Sequence, residues 1–434
     1  MPPLHRAACQ TPTPSILPGT VAEPTLLDAL RSRRTLAVSV LSFASGLPLG
    51  LVWYAIPDWM RDVGVDIRLV GLLTLAQAPW SFKVLWSPLM DRYVPPFWGR
   101  RPGWMAVTQL LLGVLVLMLA GLGERPEALW VVGALTFAIA IASASQDIAI
   151  DAYAVEVLRR EEQGAAVGAR LAFYRAAMLV SGGVSITLAA RIGWPAVNGL
   201  LAIVLVLMLA LTWRSPEPDM QPAPPPTLRD AVWLPLLGMM RRSRALEILA
   251  FVLLYKLGDQ LTQSLTRPFL IDMGYNAFDR GIALTTLSVG LTILGTFAGG
   301  LVTTVVGLGR ALWIFGVVQI FSNAGYLLLA VLDRPNVVAM YGATGFEVFA
   351  AGLGMGALGV LLLRLTEKRF SATQYALLSS LFAVPRVLAG PLTGFTVSAF
   401  GWPSFFLLTM ALGVPGLVML ARFVPIGVRE PDLK

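Results

Sequence analysis

Cysteine, histidine and charge are all scarce in this chain of 434 residues. Cys9 is the only cysteine and His5 the only histidine. Both stand near the N-terminus, so the rest of the chain has no means of building a disulfide, a Cys/His metal site, a Ser-His-Asp triad or a histidine proton relay. No metal, no cofactor and no enzymatic activity are therefore expected. Charged residues make up 13% of the chain, where soluble domains hold about 25%; that deficit excludes an ordinary water-soluble globular protein.

What the chain has in abundance is apolar sequence, 56% of it. The formal charge of +8 falls mostly between long apolar runs rather than on one solvated face, which points to a lipid bilayer and away from nucleic acid as the partner. The runs are apolar on all sides, without the alternation that barrel strands need, so they are read as helices. Twelve spans are expected, at 35–57, 69–90, 104–122, 128–156, 168–190, 194–213, 248–272, 281–306, 310–331, 337–362, 374–398 and 402–424.

The organisation that follows is an all-α membrane protein with two six-helix bundles around a central cavity. Residues 1–34 read as a disordered cytoplasmic tail, 35–213 as the first bundle, 214–247 as a proline-rich and then basic cytoplasmic linker, 248–424 as the second bundle and 425–434 as a cytoplasmic tail. With the N-terminus inside, the cytoplasmic loops and tails hold 22 of the 33 Lys and Arg. The opposite loops hold only Arg61, Arg68, Arg125, Arg191, Arg280 and Arg334. That bias places both termini in the cytoplasm by the positive-inside rule. A monomer is expected.

Ionisable groups within spans cost about 2.5–3.5 kcal/mol each on insertion scales, which makes them functional candidates. Asp147 and Asp151, in SQDIAIDAYAVEVL (145–158), lie four apart on one helix face. Like charges at that spacing favour the holding and release of a proton; a static network with Lys83 or Arg175 is the alternative. In YKLGDQLTQSLTR (255–267), Lys256, Asp259, Gln260, Gln263 and Arg267 fall on one stripe, which must line a cavity or a helix contact. Lys256 and Asp259 can also neutralise each other across a turn. Glu347 and Arg386 lie near mid-depth in the tenth and eleventh spans, as a cavity pair or an interhelical latch. Trp53, Tyr54, Trp80, Trp86, Tyr174 and Tyr255 are aromatic candidates for stacking on a sugar. After the second span, SPLMDRYVPPFWGRRPGW (87–104) places Asp91, Arg92, Arg100 and Arg101 where they can bridge helices and cap a helix end.

That last order resembles the loop motif of the major facilitator superfamily, G-x-x-x-D-R-x-G-R-R, with Ser87 in place of the first glycine. A shorter echo, GGLVTTVVGLGR (299–310), stands at the matching place in the second half. FASGLPLGL (43–51), FKVLWSPLMDRYVPPFWGRRPGW (82–104), YRAAMLVSGG (174–183), YKLGDQ (255–260) and FSATQYALLSSLFAVPRVLAGPLTG (370–394) are together similar to one branch of it, the AmpG-type muropeptide permeases, which are related to acetyl-CoA transporters. The resemblance implies an inner-membrane importer, driven by protons, of anhydro-muropeptides or N-acetylglucosaminyl-anhydro-N-acetylmuramic acid for cell-wall recycling. The family's Gln-Asp pair falls on Gln146 and Asp147, and its Lys-Leu-Gly-Asp run on Lys256 to Asp259. The roles expected are proton coupling for Asp147, Asp151, Asp259 and Glu347, and substrate contact for Lys83, Gln146, Tyr174, Arg175, Lys256, Gln260, Gln263 and Arg386. Asp91, Arg92, Arg100 and Arg101 are expected to form a conformational gate. Another amphiphilic metabolite or a drug is the alternative cargo.

Overall fold

In the computed structural model, residues 26–123, 129–219, 222–332 and 335–433 are described. Among them the chain runs in twelve long helical segments. The first half holds α1 (Arg33–Asp62), α2 (67–92), α3 (Arg100–Gly121), α4 (Leu129–Val157), α5 (Gln163–Ile192) and α6 (Trp194–Trp213). The second holds α7 (245–272), α8 (Ala277–Val306), α9 (Leu308–Ala330), α10 (Val337–Leu365), α11 (371–400) and α12 (402–423).

Nine helical stretches among the described residues are long and apolar enough to cross a membrane. The expected spans outside that set are α2, α7 and α11, of which α2 and α7 are irregular for a local reason; the side chains of 383 and 385–392 in α11 lie outside the described residues. Segment α2 changes to tighter 3₁₀ turns at Thr74–Gln77 and Lys83–Leu85, next to Pro79 and Pro88, which cannot donate to a helical ladder. In α7 the helix stops at Leu254 and resumes at Leu257, with Lys256 at the break. Segment α11 runs into α12 through Gly401, whose φ of 76° is readily adopted by glycine alone.

The ends of the chain are more ordered than their composition suggests. Part of the expected disordered stretch 1–34 is helical, over Leu26–Arg31 and again from Arg33. Ser32 accepts a hydrogen bond from the Arg34 backbone N–H and so caps α1. At the other end Gly309 N donates to Arg429 O at 2.9 Å, and Trp313 Nε1 to Val424 O at 2.9 Å.

Two apolar cores belong to one half each. The first contains Trp59 stacked on Trp194, ring centroids 5.9 Å apart; the other contains Tyr326 stacked on Phe406 at 5.4 Å. A third core draws on both halves, with Ile150 and Tyr153 of α4 buried together with Leu358 and Leu361 of α10. It lies on the side of the bundle where the linker runs. The linker helix Leu228–Met240 spans the seam there, packing on the last turn of α2 and on α11, where Gln374 Nε2 donates to Pro235 O at 3.1 Å.

Glycine makes the closest approach across the seam possible. A Cβ placed on Gly300 of α8 would lie 2.6 Å from Gly168 Cα of α5, and one on Gly168 would lie 2.7 Å from Phe297 O. The GGLVTTVVGLGR echo is thus a packing device rather than a second gate, and its Arg310 donates to Gly427 O at 3.1 Å. Gly300→Val should force the seam apart at an overpacking cost of about 1–3 kcal/mol. In a Cys9→Ser background, a cysteine placed at the chamber residue Ser379 should then react faster with an impermeant thiol reagent added on the linker side. An unchanged rate would show that the glycines do not set this closure.

Candidate functional site

On the linker side the two halves are joined by buried ions. Asp91, at the end of α2, is fully buried. It accepts from Arg101 Nη2 at 2.5 Å and, across the seam, from Thr373 N at 2.8 Å, Thr373 Oγ1 at 2.7 Å and Ala372 N at 3.3 Å. A carboxylate therefore caps the N-terminus of α11, where the helix dipole and free N–H groups favour negative charge. Arg101 also donates to Glu156 Oε1 at 2.8 Å, to Met90 O and to Ser371 Oγ at 2.7 Å. Arg100 donates to Glu156 Oε1 at 2.8 Å. Three of the four expected gate residues thus meet in one cluster. The fourth, Arg92, does not: its guanidinium lies 5.6 Å from the Tyr93 ring centroid, because one helical position past Asp91 it faces away from the seam. Glu156, an acid of the SQDIAIDAYAVEVL stretch to which the sequence assigns no gate role, completes the cluster.

Beyond this seal lies a chamber of two adjoining lobes. The first, about 150 Å³, is lined by Ser42, Ser45, Asp147, Asp151, Arg170, Tyr375, Ser379 and apolar neighbours. The second, about 450 Å³, is lined by Arg175, Lys256, Gln260, Gln263, Thr344, Glu347 and others. Leu171, Tyr174, Met355 and Phe382 line both and form the waist between them.

At the first lobe two cations face two carboxylates; Arg170 lines the lobe, whereas Lys83, an expected substrate contact, is buried and lines neither lobe. Lys83 Nζ stands 3.2 Å from Asp151 Oδ2 and 4.0 Å from Asp147 Oδ2. Arg170 pairs with Asp151, and Ser45 Oγ donates to Asp147. The static network weighed for these acids therefore exists, but through Lys83 and Arg170 rather than Arg175. Asp151 is held by two cations, whereas Asp147 has a hydroxyl and one distant ammonium. Arg170, to which the sequence assigns no role, is buried in α5, which begins at Gln163.

In the second lobe the stripe of α7 is divided. Lys256, at the helix break, donates to Asp259 Oδ2 at 2.5 Å, to Ala351 O at 2.9 Å and to Gln319. Asp259 points with Gln319 toward a smaller void rather than into the lobe. Gln260 and Gln263 line the lobe, and Gln263 Nε2 donates to Glu347 Oε1 at 3.0 Å. Arg267 is exposed and outside both linings. Arg175 lines the lobe with no carboxylate within 4.0 Å among the described residues; its Nη1 lies 3.9 Å from Met178 Sδ.

Two expected contacts are corrected. Gln146 is fully buried and lines neither lobe, since the helical turn that aims Asp147 inward carries its neighbour away. Of the six aromatic candidates only Tyr174 lines the lobes; Trp53 packs edge-on to Trp80, Trp86 Nε1 donates to Ser145 Oγ at 3.0 Å, and Tyr255 OH donates to Leu312 O. The side chain of Arg386 lies outside the described residues.

Two helical bundles enclosing a polar chamber on their seam define a multi-pass membrane transporter rather than an enzyme. The chain belongs to the Major Facilitator Superfamily, whose model matches residues 38–383. It is 43% identical over 396 residues to the anhydromuropeptide permease of Escherichia coli K12, covering 91% of this chain and 80% of that one. Among solved structures it is similar in fold to the proton:xylose symporter XylE (TM-score 0.69, 12% identity, 90% and 96% of the two chains). It is similar also to the human organic anion transporter TETRAN (TM-score 0.67, 16% identity, 89% and 99% covered).

Asp91→Asn removes one charge from a buried pair, a class of change that costs about 3–5 kcal/mol, and it weakens the cap on α11. Spin labels at 92 and 369 should report a longer separation in the variant. An identical distance distribution would mean that packing alone holds this side shut.

Proposed function

We propose that the chain is a proton-coupled importer of anhydro-muropeptides, including N-acetylglucosaminyl-anhydro-N-acetylmuramic acid, for cell-wall recycling. It works by alternating access in the bacterial inner membrane, with bundles 35–213 and 248–424 rocking about the linker 214–247 and both termini cytoplasmic. Its main support is the two-lobed chamber, whose walls come from both halves and set Asp147 at one end and Arg175 with Glu347 at the other. The cargo is chosen from the relative: a protein 43% identical over most of both chains is named for anhydromuropeptide transport.

In this reading Arg175, with no carboxylate partner among the described residues, receives a lactyl or peptide carboxylate of the substrate. Gln260 and Gln263 offer donors and acceptors suited to sugar hydroxyls and amides, and the Tyr174 ring at the waist packs against the sugar face. Asp147 exchanges the proton, because its neighbours leave it the less neutralised acid of the first lobe; Asp151, between Lys83 and Arg170, holds that lobe together. Glu347, bonded to neutral Gln263, is the corresponding acid of the second half, and the Lys256–Asp259 pair fixes the break in α7. Protonating Asp147 while a carboxylate occupies Arg175 changes the charge balance in both lobes at once, which lets Asp91 part from the first turn of α11. Asp91, Arg100 and Arg101 are then the gate, with Glu156 as its fourth member.

Proteoliposomes loaded with the protein should accumulate labelled N-acetylglucosaminyl-anhydro-N-acetylmuramic acid when a pH gradient is imposed, and only equilibrate without one. Asp147→Asn should abolish gradient-driven accumulation while leaving counterflow measurable. Arg175→Gln should raise the half-saturating concentration about tenfold or more, the worth of one charge-assisted hydrogen bond of about 1.5–3 kcal/mol. Flux of an unrelated drug panel with none of the muropeptide would overturn the cargo assignment, and intact accumulation by Asp147→Asn would overturn its coupling role.

A further inference from the structure

A second polar recess opens at the linker-side end of the first bundle, away from the chamber and sharing no lining residue with it. The start of α1, the turn between α4 and α5, and the end of α6 meet there around about 490 Å³ lined chiefly by Ser32, Arg33, Arg34, Arg159, Glu162 and Arg214. Four guanidiniums from three separate stretches of chain thus surround one carboxylate.

The acids present are already engaged. Glu162 accepts from Ser32 Oγ at 2.5 Å and from the Arg159 backbone N–H at 3.0 Å. Asp219, from the linker, takes Arg34 Nη2 at 2.5 Å and lies 3.8 Å from Arg159 Nε. Arg33 and Arg214 are left with no carboxylate within 4.0 Å among the described residues. Arg34 keeps its other terminal nitrogen, Nη1, buried and without a hydrogen-bond partner among the described residues. A guanidinium nitrogen in that state lacks an acceptor, and the planar fork of arginine is matched by the oxygens of a phosphate.

The level of the recess identifies which phosphate. Trp213, next to Arg214, is 64% exposed, and the lipid-facing side of α6 continues away from it through the exposed Leu207 and Ile203. An amphipathic ring ending an apolar helix marks the boundary between hydrocarbon and headgroups. On α1 the exposed Leu36 follows Arg33 by one turn. The arginines therefore sit at headgroup depth, with apolar side chains beneath them. We propose that this recess binds the phosphate of an acidic phospholipid in the leaflet on the linker side, its acyl chains lying along α6.

The test is titration of the purified full chain with phosphatidylglycerol, phosphatidylcholine or inorganic phosphate, with bound molecules counted by native mass spectrometry. Wild type should show a saturable phosphatidylglycerol site that phosphatidylcholine does not fill and inorganic phosphate does not displace. Each arginine near a membrane surface contributes roughly fivefold in affinity, so Arg33→Gln/Arg214→Gln should weaken that site about 30-fold. Arg229→Gln, on the linker helix outside the recess, should leave it unchanged. Should the double variant not purify as a folded monomer, Arg214→Gln alone should still lose about fivefold. Equal retention of phosphatidylglycerol by wild type and variant, or equal filling by phosphatidylcholine, would overturn the site. Displacement by inorganic phosphate would overturn the lipid and make the recess a soluble-anion site.

Discussion

Four buried ionised groups, Asp91, Glu156, Arg100 and Arg101, hold the two halves of this protein together on one side. Two positive and two negative charges cancel, yet cancellation alone rarely compensates for loss of water. Hydrogen bonding makes the cluster stable. Arg101 has two carboxylates, a hydroxyl and a backbone carbonyl as acceptors, and Asp91 receives two N–H groups and a hydroxyl from the opposite half. The contacts to Ser371, Ala372 and Thr373 depend on the first turn of α11 staying in register with the end of α2. A shift of a few ångströms would strip Asp91 of every donor it takes from the opposite half, so the cluster favours two discrete arrangements over a continuum.

The seam is tight at this end, and the chamber lies beyond it. Glycines 164, 168 and 300 let α5 and α8 touch backbone to backbone on the linker side. The other apolar cores stay within their own halves. Small residues at a helix crossing and shared ions beside it produce one closed end, and the polar lobes lie on the open side of both.

Much of the fold was legible in the sequence because lipid leaves few alternatives: apolar runs of about 20 residues become helices, and their number and the linker set the two-bundle plan. The breaks were not. Pro79 and Pro88 hinted at irregularity in α2, but where the chain tightens depends on neighbouring helices. At the site, the spacing on α4 brings Asp147 and Asp151, and the stripe on α7 brings Lys256, Gln260 and Gln263, to the chamber wall, since helical periodicity fixes which residues share a face; Glu347 was legible only as a lone acid within a span. Partners from other helices carry no such signature. Arg170 for Asp151, Gln319 for Lys256 and Glu156 for Arg101 became visible only when the helices were packed, and Arg92 and Gln146 failed for the complementary reason, each facing away from the residue beside it.

The waist made by Leu171, Tyr174, Met355 and Phe382 imposes a selection by shape. A short molecule lodged in one compartment would meet the ionised side chains of that compartment alone and leave the other's field untouched. An elongated molecule threaded past the tyrosine, with its saccharide on one side and its acidic end on the other, would press on both walls together. Narrowing the middle of the cavity thus converts length into a condition for movement, and compact solutes that fit would ride in without turning the machine over.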